Sequence, residues 1–162
     1  MALLSCRTVD DLRAPGTLSF TYAGAVSGTF SAIGDLNVVP AGAPAYNYEW
    51  ATGKSFNESG TRWIAILANA PAGAGVTTTI QLEGAPAQAA TFPLAGDDLN
   101  LVIFGLSPTT GDSYTFTSGS MTVSELTTTR ARGTFSGTAQ RLPDGPTVVI
   151  SDGTFDVAVV QQ

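Results

Sequence analysis

Alternation of apolar and hydroxyl side chains is the feature that most constrains the fold of this chain. It is clearest over residues 17–22, 76–83 and 147–160. Three copies of the tripeptide Gly-Thr-Phe also lie in alternating stretches, at residues 28–30, 133–135 and 153–155. A period of two places one set of side chains in a core and the other in water, as in a half-buried β-strand. The pattern therefore predicts that the chain is built from β-strands.

Frequent turns break the alternation into short pieces. The 162 residues include 18 glycines and 9 prolines, which disfavours long helices. We predict an all-β fold, an antiparallel β-sandwich or open β-barrel of about ten short strands, with at most one short N-terminal helical turn over residues 8–13. Residues 1–15 would then be an N-terminal lead or anchor segment, and residues 16–162 a single β domain.

The same pattern places individual strands. A hairpin is expected over residues 17–32, and a later strand should carry Tyr46, Tyr48 and Trp50 on one face, before a polar loop over residues 52–60. Pro93 cannot donate a hydrogen bond, so the short strand around it is expected at an edge or a bulge. The remaining strands are predicted at residues 61–69, 76–83, 99–104, 113–116, 120–126, 129–141 and 147–160, the last with a glycine bulge at 151–153.

Charge and residue content disfavour several functions. The chain has no histidine and one cysteine, so we expect no haem, chlorophyll or transition metal held by such side chains, and no cofactor. The net charge of −6 would repel nucleic acid and an anionic membrane surface, because the seven basic residues are mostly scattered. Membrane association should therefore come only from an anchor or from a protein partner.

The N-terminal segment holds a candidate lipid anchor. Leu3-Leu4-Ser5-Cys6 resembles part of a bacterial lipobox, in which the cysteine is lipidated after cleavage. A full signal has an apolar stretch of roughly 7–15 residues, and only residues 1–4 precede Ser5 here. Two interpretations stay open: Cys6 is a lipid anchor behind a longer signal, or Leu3, Leu4 and Cys6 form an apolar tail that docks on the domain.

The C-terminal quarter of the chain resembles a known type of protein. Residues 121–160 are similar to the ends of secreted bacterial lipoprotein-type all-β domains of unknown function, which have a Gly-Thr-Phe strand, a turn and a last strand reading Gly-Thr-Phe-Asp-Val. Residues 133–136 and 153–157 carry the match. The resemblance implies an extracytoplasmic all-β domain and supplies no active site.

Two sets of side chains are candidate partner contacts. Tyr46, Tyr48 and Trp50 could form a platform for sugar rings or a protein hot spot, but burial in the core is favoured because the opposite orientation would bury Glu49. Arg130 and Arg132 should project from one face of a strand. They could receive a carboxylate of a partner, although a solvated edge that blocks strand aggregation is the favoured interpretation.

Enzymatic motifs are weak. Gly53-Lys54-Ser55 resembles the end of a phosphate-binding loop, but Tyr48 stands where the first glycine is needed, so a turn is expected. A carboxylate-based hydrolase stays an alternative. It needs two carboxylates that face each other across a cleft, and the sequence cannot exclude this for Glu49, Glu58 or Glu83.

These observations favour a non-enzymatic extracytoplasmic domain, in the periplasm or at the cell surface. We expect it to act as a structural or accessory subunit with a protein partner, in a membrane-associated complex such as a secretion, respiratory or photosynthetic assembly. A carbohydrate-binding or adhesin-like module that uses the aromatic cluster is the first alternative. The carboxylate-based hydrolase is the second.

Overall fold

The computed structural model of the chain describes residues 14–72, 76–84, 87–94, 104–105 and 112–161. Within them the chain is all-β, as predicted. Two 3-10 helices, Leu36–Val38 and Ala45–Asn47, lie between the second and third strands. The ten strands in the described residues are β1 (Gly16–Gly24), β2 (Gly28–Gly34), β3 (Trp50–Glu58), β4 (Thr61–Ala72), β5 (Val76–Gly84), β6 (Thr91–Pro93), β7 (Phe104–Gly105), β8 (Ser113–Leu126), β9 (Arg130–Arg141) and β10 (Thr147–Gln161).

The strands form one curled sheet with the shape of a half-barrel. Strands β2, β1, β10, β9 and β8 are antiparallel neighbours in that order, and both β6 and β7 pair with β8. Strands β3, β4 and β5 form a second antiparallel group. The groups are joined because Val159–Gln161 at the end of β10 pair in parallel with Gly53–Ser55 of β3. Of the two predicted architectures, the structure therefore has the open barrel.

The concave face of the sheet holds the core. Phe20, on β1, stacks on Phe30 of β2 with ring centroids 5.2 Å apart, and its ring also lies 5.8 Å from that of Phe135 on β9. All three rings are at least 95% buried. Alternate positions on β8, β9 and β10 extend this core through Met121, Val123, Ala131, Phe155, Val157 and Val159. The two-residue period in the sequence thus corresponds to real inward and outward faces.

Several predicted elements are confirmed. The hairpin of β1 and β2, the short strand around Pro93, and the irregular register between Ile150 and Gly153 are all present. The strand predicted at residues 61–69 is present as β4, which is buried on both faces at Ile64, Ala65 and Ile66.

Three local predictions were wrong. Tyr46 and Tyr48 do not lie on a strand, because residues 45–47 form a 3-10 turn and β3 begins only at Trp50. The predicted loop over residues 52–60 is mostly strand, and Lys54 lies within β3 instead of in a turn. The strands predicted at 113–116 and 120–126 are one strand, β8, which continues through a register shift between Phe116 and Ser118.

Some predictions fall on residues outside the described part of the chain. These are the helical turn over residues 8–13, the candidate anchor Cys6 and residues 99–103 of the strand predicted at 99–104. Among the described residues, no helix is both long enough and apolar enough to cross a membrane.

Candidate functional site

The turn that carries the two tyrosines lies on the outside of the sheet. Its 3-10 helix, Ala45–Asn47, packs near β4 and β5, and the side chains of Tyr46 and Tyr48 are 59% and 38% exposed. Trp50 is different, because only 7% of it is exposed and its Nε1 donates a hydrogen bond of 3.0 Å to the carbonyl of Ala45. The prediction that all three rings fill the core was therefore wrong for the tyrosines. It failed because a 3-10 turn does not keep the alternating orientation of a strand.

Buried polar contacts fasten this turn to the sheet. Asn69 on β4 is completely buried, and its Nδ2 donates to the carbonyls of Tyr46 and Tyr48 at 3.2 and 2.7 Å. The buried amide of Asn69 needs such partners, because a buried polar group without a hydrogen bond costs free energy. The two tyrosines are consequently presented on a backbone that is fixed at both of their positions.

A neighbouring contact brings the end of β2 to the same region. Glu49 is exposed, and its Oε1 accepts a 2.8 Å hydrogen bond from the backbone N–H of Ile33. The cost foreseen for burying Glu49 does not arise. Ile33 is itself 55% exposed. We call Ile33, Tyr46 and Tyr48 the tyrosine surface.

The two arginines predicted as partner contacts are engaged within the chain. Arg130 Nε and Arg132 Nε contact the two carboxylate oxygens of Asp156 on β10, the latter at 3.0 Å. Arg132 Nη1 also lies 2.8 Å from Glu125 Oε2. Strand β9 lies between β8 and β10, so the interpretation of these arginines as a solvated sheet edge was wrong. Asp156 and Glu125 already occupy the position that a partner's carboxylate would take.

The electrostatics of this cluster centre on Asp156. Partial burial by itself would raise the pKa of its carboxyl, but hydrogen bonds and charge from Arg130 and Arg132 outweigh burial and hold the pKa below its ordinary value. In turn, the hydrogen bond and charge of Asp156 raise the pKa of Arg132, and Glu125 adds to the effect. The cluster is a structural ion-pair network across β8, β9 and β10.

Sequence reasoning missed a row of hydroxyl groups on the convex face. The register aligns one serine or threonine from each of six adjacent strands in a line across the sheet. The row consists of Thr91, Thr122, Thr134, Thr154, Ser19 and Ser31. Its first two hydroxyls are 2.9 Å apart, and those of Ser19 and Thr154 are 3.1 Å apart. The sequence holds one sign of this row, because Thr134 and Thr154 are the middle residues of two Gly-Thr-Phe repeats. Only the strand register shows that they lie side by side.

A groove of about 390 Å³ lies along this row. The residues that line it belong to β8, β9 and β10 and are Ser120, Thr122, Thr134, Phe135, Ser136, Asp152, Gly153 and Thr154. The bulge in β10 places two residues, Ser151 and Asp152, opposite Ser136. Asp152 has a left-handed backbone with φ of 54°, so the bulge directs an exposed carboxylate to the groove. We call this the hydroxyl groove.

The described residues contain no group of three histidine, cysteine, aspartate or glutamate side chains that could hold a metal ion. Of the three glutamates considered for hydrolysis, Glu49 binds the backbone of Ile33, while the side chains of Glu58 and Glu83 lie outside the described set. No protein-family model, curated protein or solved structure matches the chain.

Proposed function

We propose that this chain is a non-enzymatic extracytoplasmic β domain that serves as an accessory or structural subunit of a membrane-associated complex. The observation that carries the proposal is the tyrosine surface, in which exposed rings stand on a turn fastened by the buried Asn69. Tyrosine is enriched among residues that dominate the free energy of protein interfaces.

Fixing the turn before binding favours affinity. A flexible loop loses conformational entropy when it docks, at a cost of about 0.5–1.5 kcal/mol for each immobilised side chain. The backbone of Tyr46 and Tyr48 is already bound to Asn69, and Trp50 holds Ala45. Tyrosine has only two side-chain torsions to restrict, so little further ordering is needed.

The extracytoplasmic location is proposed from the sequence. It follows from the partial lipobox at Cys6 and from the resemblance of residues 121–160 to secreted lipoprotein-type domains. With a net charge of −6, the body of the domain would be repelled by an anionic lipid surface. Contact with the membrane would then depend on a lipid at Cys6 or on the partner.

The test is gentle purification of the tagged chain from its own host, followed by identification and stoichiometry of what accompanies it. We expect a defined complex that the double variant Tyr46→Ala/Tyr48→Ala loses. Leu142→Ala is the matched control, because Leu142 is 48% exposed but lies in the turn between β9 and β10. Recovery of the native chain free of any other protein would refute the subunit proposal.

A second candidate function, carbohydrate binding, is favoured by the hydroxyl groove. Of its eight lining residues, five carry a hydroxyl group and one a carboxylate, and none is a cation that would attract an anionic ligand. Such a lining suits the hydroxyl groups of a neutral glycan.

This candidate is tested by titrating neutral oligosaccharides against the purified domain. Thr134→Val and Asp152→Asn should each weaken binding, whereas Thr147→Val, an exposed threonine outside the groove, should leave it unchanged. If Thr134→Val and Asp152→Asn bind the oligosaccharide as tightly as the parent domain does, the groove is not a glycan site.

A further inference from the structure

Strand β2 forms an open edge of the sheet. Among the described residues it pairs only with β1. The N–H of Ile33 points away from β1, because it donates to the carboxylate of Glu49. Backbone groups alternate in direction along a strand, so the N–H and C=O of Thr29 and Ser31 also point outward. Both residues are exposed, and these groups form no hydrogen bond within the described part of the chain.

The described residues of β2 carry none of the side chains that usually protect an edge against strand pairing. Natural edges are blocked by lysine, proline or inward-pointing charges, and residues 28–32 contain none of these. The open stretch has two definite ends. Strand β2 starts at Gly28, and the hydrogen bond to Glu49 occupies the N–H of Ile33. The available window is therefore the five residues 28–32, with Phe30 at its centre.

We propose that a second copy of this chain pairs antiparallel with β2 about a two-fold axis at Phe30. Thr29 would then lie opposite Ser31 of the second copy, and Ser31 opposite Thr29. In an antiparallel pair such residues exchange both of their hydrogen bonds. The four bonds that result use the N–H and C=O of both residues in both copies, and they leave the contact between Glu49 and Ile33 intact.

The position of Glu49 selects this register. A two-fold axis at Ser31 would instead require the N–H of Ile33 to pair with the second copy, in competition with Glu49. At the Phe30 axis the two Phe30 rings lie side by side on the concave face and extend the stack of Phe20 on Phe30. The outward-pointing backbone groups belong to Thr29 and Ser31, one residue to either side of Phe30. The same segment of a second copy can therefore pair with all of them, as an isologous contact requires.

The dimer is expected to be weak and to depend on salt. One pair of strand edges buries less surface than the roughly 1,000 Å² typical of stable interfaces. Each copy also carries a net charge of −6, so the copies repel each other at low ionic strength. Association should therefore become tighter as salt screens this repulsion.

Register is tested by disulfide trapping in a Cys6→Ser background. Paired residues of this type have Cα atoms about 5.5 Å apart, within the range that a disulfide spans. A mixture of Thr29→Cys and Ser31→Cys chains should form a covalent heterodimer under mild oxidation. Each variant alone should cross-link poorly, since identical positions are two residues out of register. Trapping of either variant alone as efficiently as the mixture would overturn the proposed register.

Association is tested by analytical ultracentrifugation across protein and salt concentration. Ser31→Pro removes an outward N–H that the monomer does not use, and Ser31→Lys places a charge on the edge without changing the backbone. We expect at least a tenfold weaker dimer for both. Val149→Lys, an exposed position on the interior strand β10, should dimerise like the parent chain. A parent chain that stays monomeric at millimolar concentration and high salt would overturn the proposal, as would undiminished dimerisation of Ser31→Lys.

Discussion

The ring of Phe155 lies against Gly133 on the neighbouring strand, at a place where any side chain on residue 133 would collide with it. A Cβ atom there would lie 2.5 Å from Cζ of Phe155 and would also overlap the carbonyl oxygen of Thr122. The relationship is reciprocal, because Gly153 stands opposite Phe135 and a Cβ on Gly153 would lie 2.8 Å from that ring. Two Gly-Thr-Phe repeats thus interlock, with each ring occupying the space left by the other strand's glycine.

Gly133→Ala should destabilise the fold by about 2 kcal/mol or more, because overpacking a filled core forces side chains and backbone to shift. Gly42→Ala is the control, since space around Gly42 is open and only its φ of 81° is unfavourable. That conformation costs about 1–2 kcal/mol for a residue with a side chain. Denaturant unfolding of both variants and of the parent chain measures these losses, and a Gly133→Ala variant as stable as the parent would contradict the interlocking of ring and glycine.

Asn69→Ala should loosen the tyrosine turn. It removes the donor for the carbonyls of Tyr46 and Tyr48, and each such hydrogen bond contributes about 0.5–1.5 kcal/mol. We expect faster amide hydrogen exchange in residues 45–48 together with lower stability. Asn57→Ala, at an exposed position on β3, should change neither. Unchanged exchange in the Asn69 variant would show that the turn is held by other contacts.

The two tryptophans should respond differently to replacement by phenylalanine. Trp50→Phe removes the hydrogen bond to Ala45, worth about 0.5–1.5 kcal/mol, in addition to some packing. The Nε1 of Trp63 is buried with no partner among the described residues, so Trp63→Phe also removes an unsatisfied donor. Trp50→Phe should consequently be the more destabilising change in thermal unfolding. The reverse order would indicate that Trp63 has a partner beyond the described residues.

Stability should fall on acidification in a way that depends on Asp156. Its pKa is lowered in the folded state, so between the folded and unfolded pKa values the native chain binds fewer protons than the unfolded chain. The stabilisation is present above the unfolded value of about 3.9 and is lost as pH falls through the folded pKa.

Asp156→Asn should therefore be less stable at pH 7 and lose less stability between pH 5 and pH 2 than the parent chain. The side chain is 35% exposed, which limits the effect by solvent screening. Asp144→Asn, in the exposed turn between β9 and β10, is the matched control for the removal of one carboxylate. Parallel pH profiles for Asp156→Asn and the parent would rule out a stabilising role for the ion-pair network.

The candidate sites were less predictable than the fold. Tyr46 and Tyr48 were recognised as potential contacts, but their exposure depends on Asn69, a residue 21 positions away from Tyr48 in the sequence. Arg130 and Arg132 were placed correctly on one face of a strand, yet their partner Asp156 is brought to them only by the pairing of β9 with β10. The hydroxyl row likewise requires the register of five strand pairs.

The sequence by itself determined that this protein is all-β and which side chains face inward along most strands, because a period of two is a local property of the backbone. Only the tertiary structure decided that the sheet curls into an open barrel, that β9 is an interior strand and that β2 is an edge. Alternation is identical for a sandwich and a barrel, and for an edge and an interior strand, since it records the faces of a strand and not its neighbours. Those neighbours are set by contacts between residues far apart in the chain.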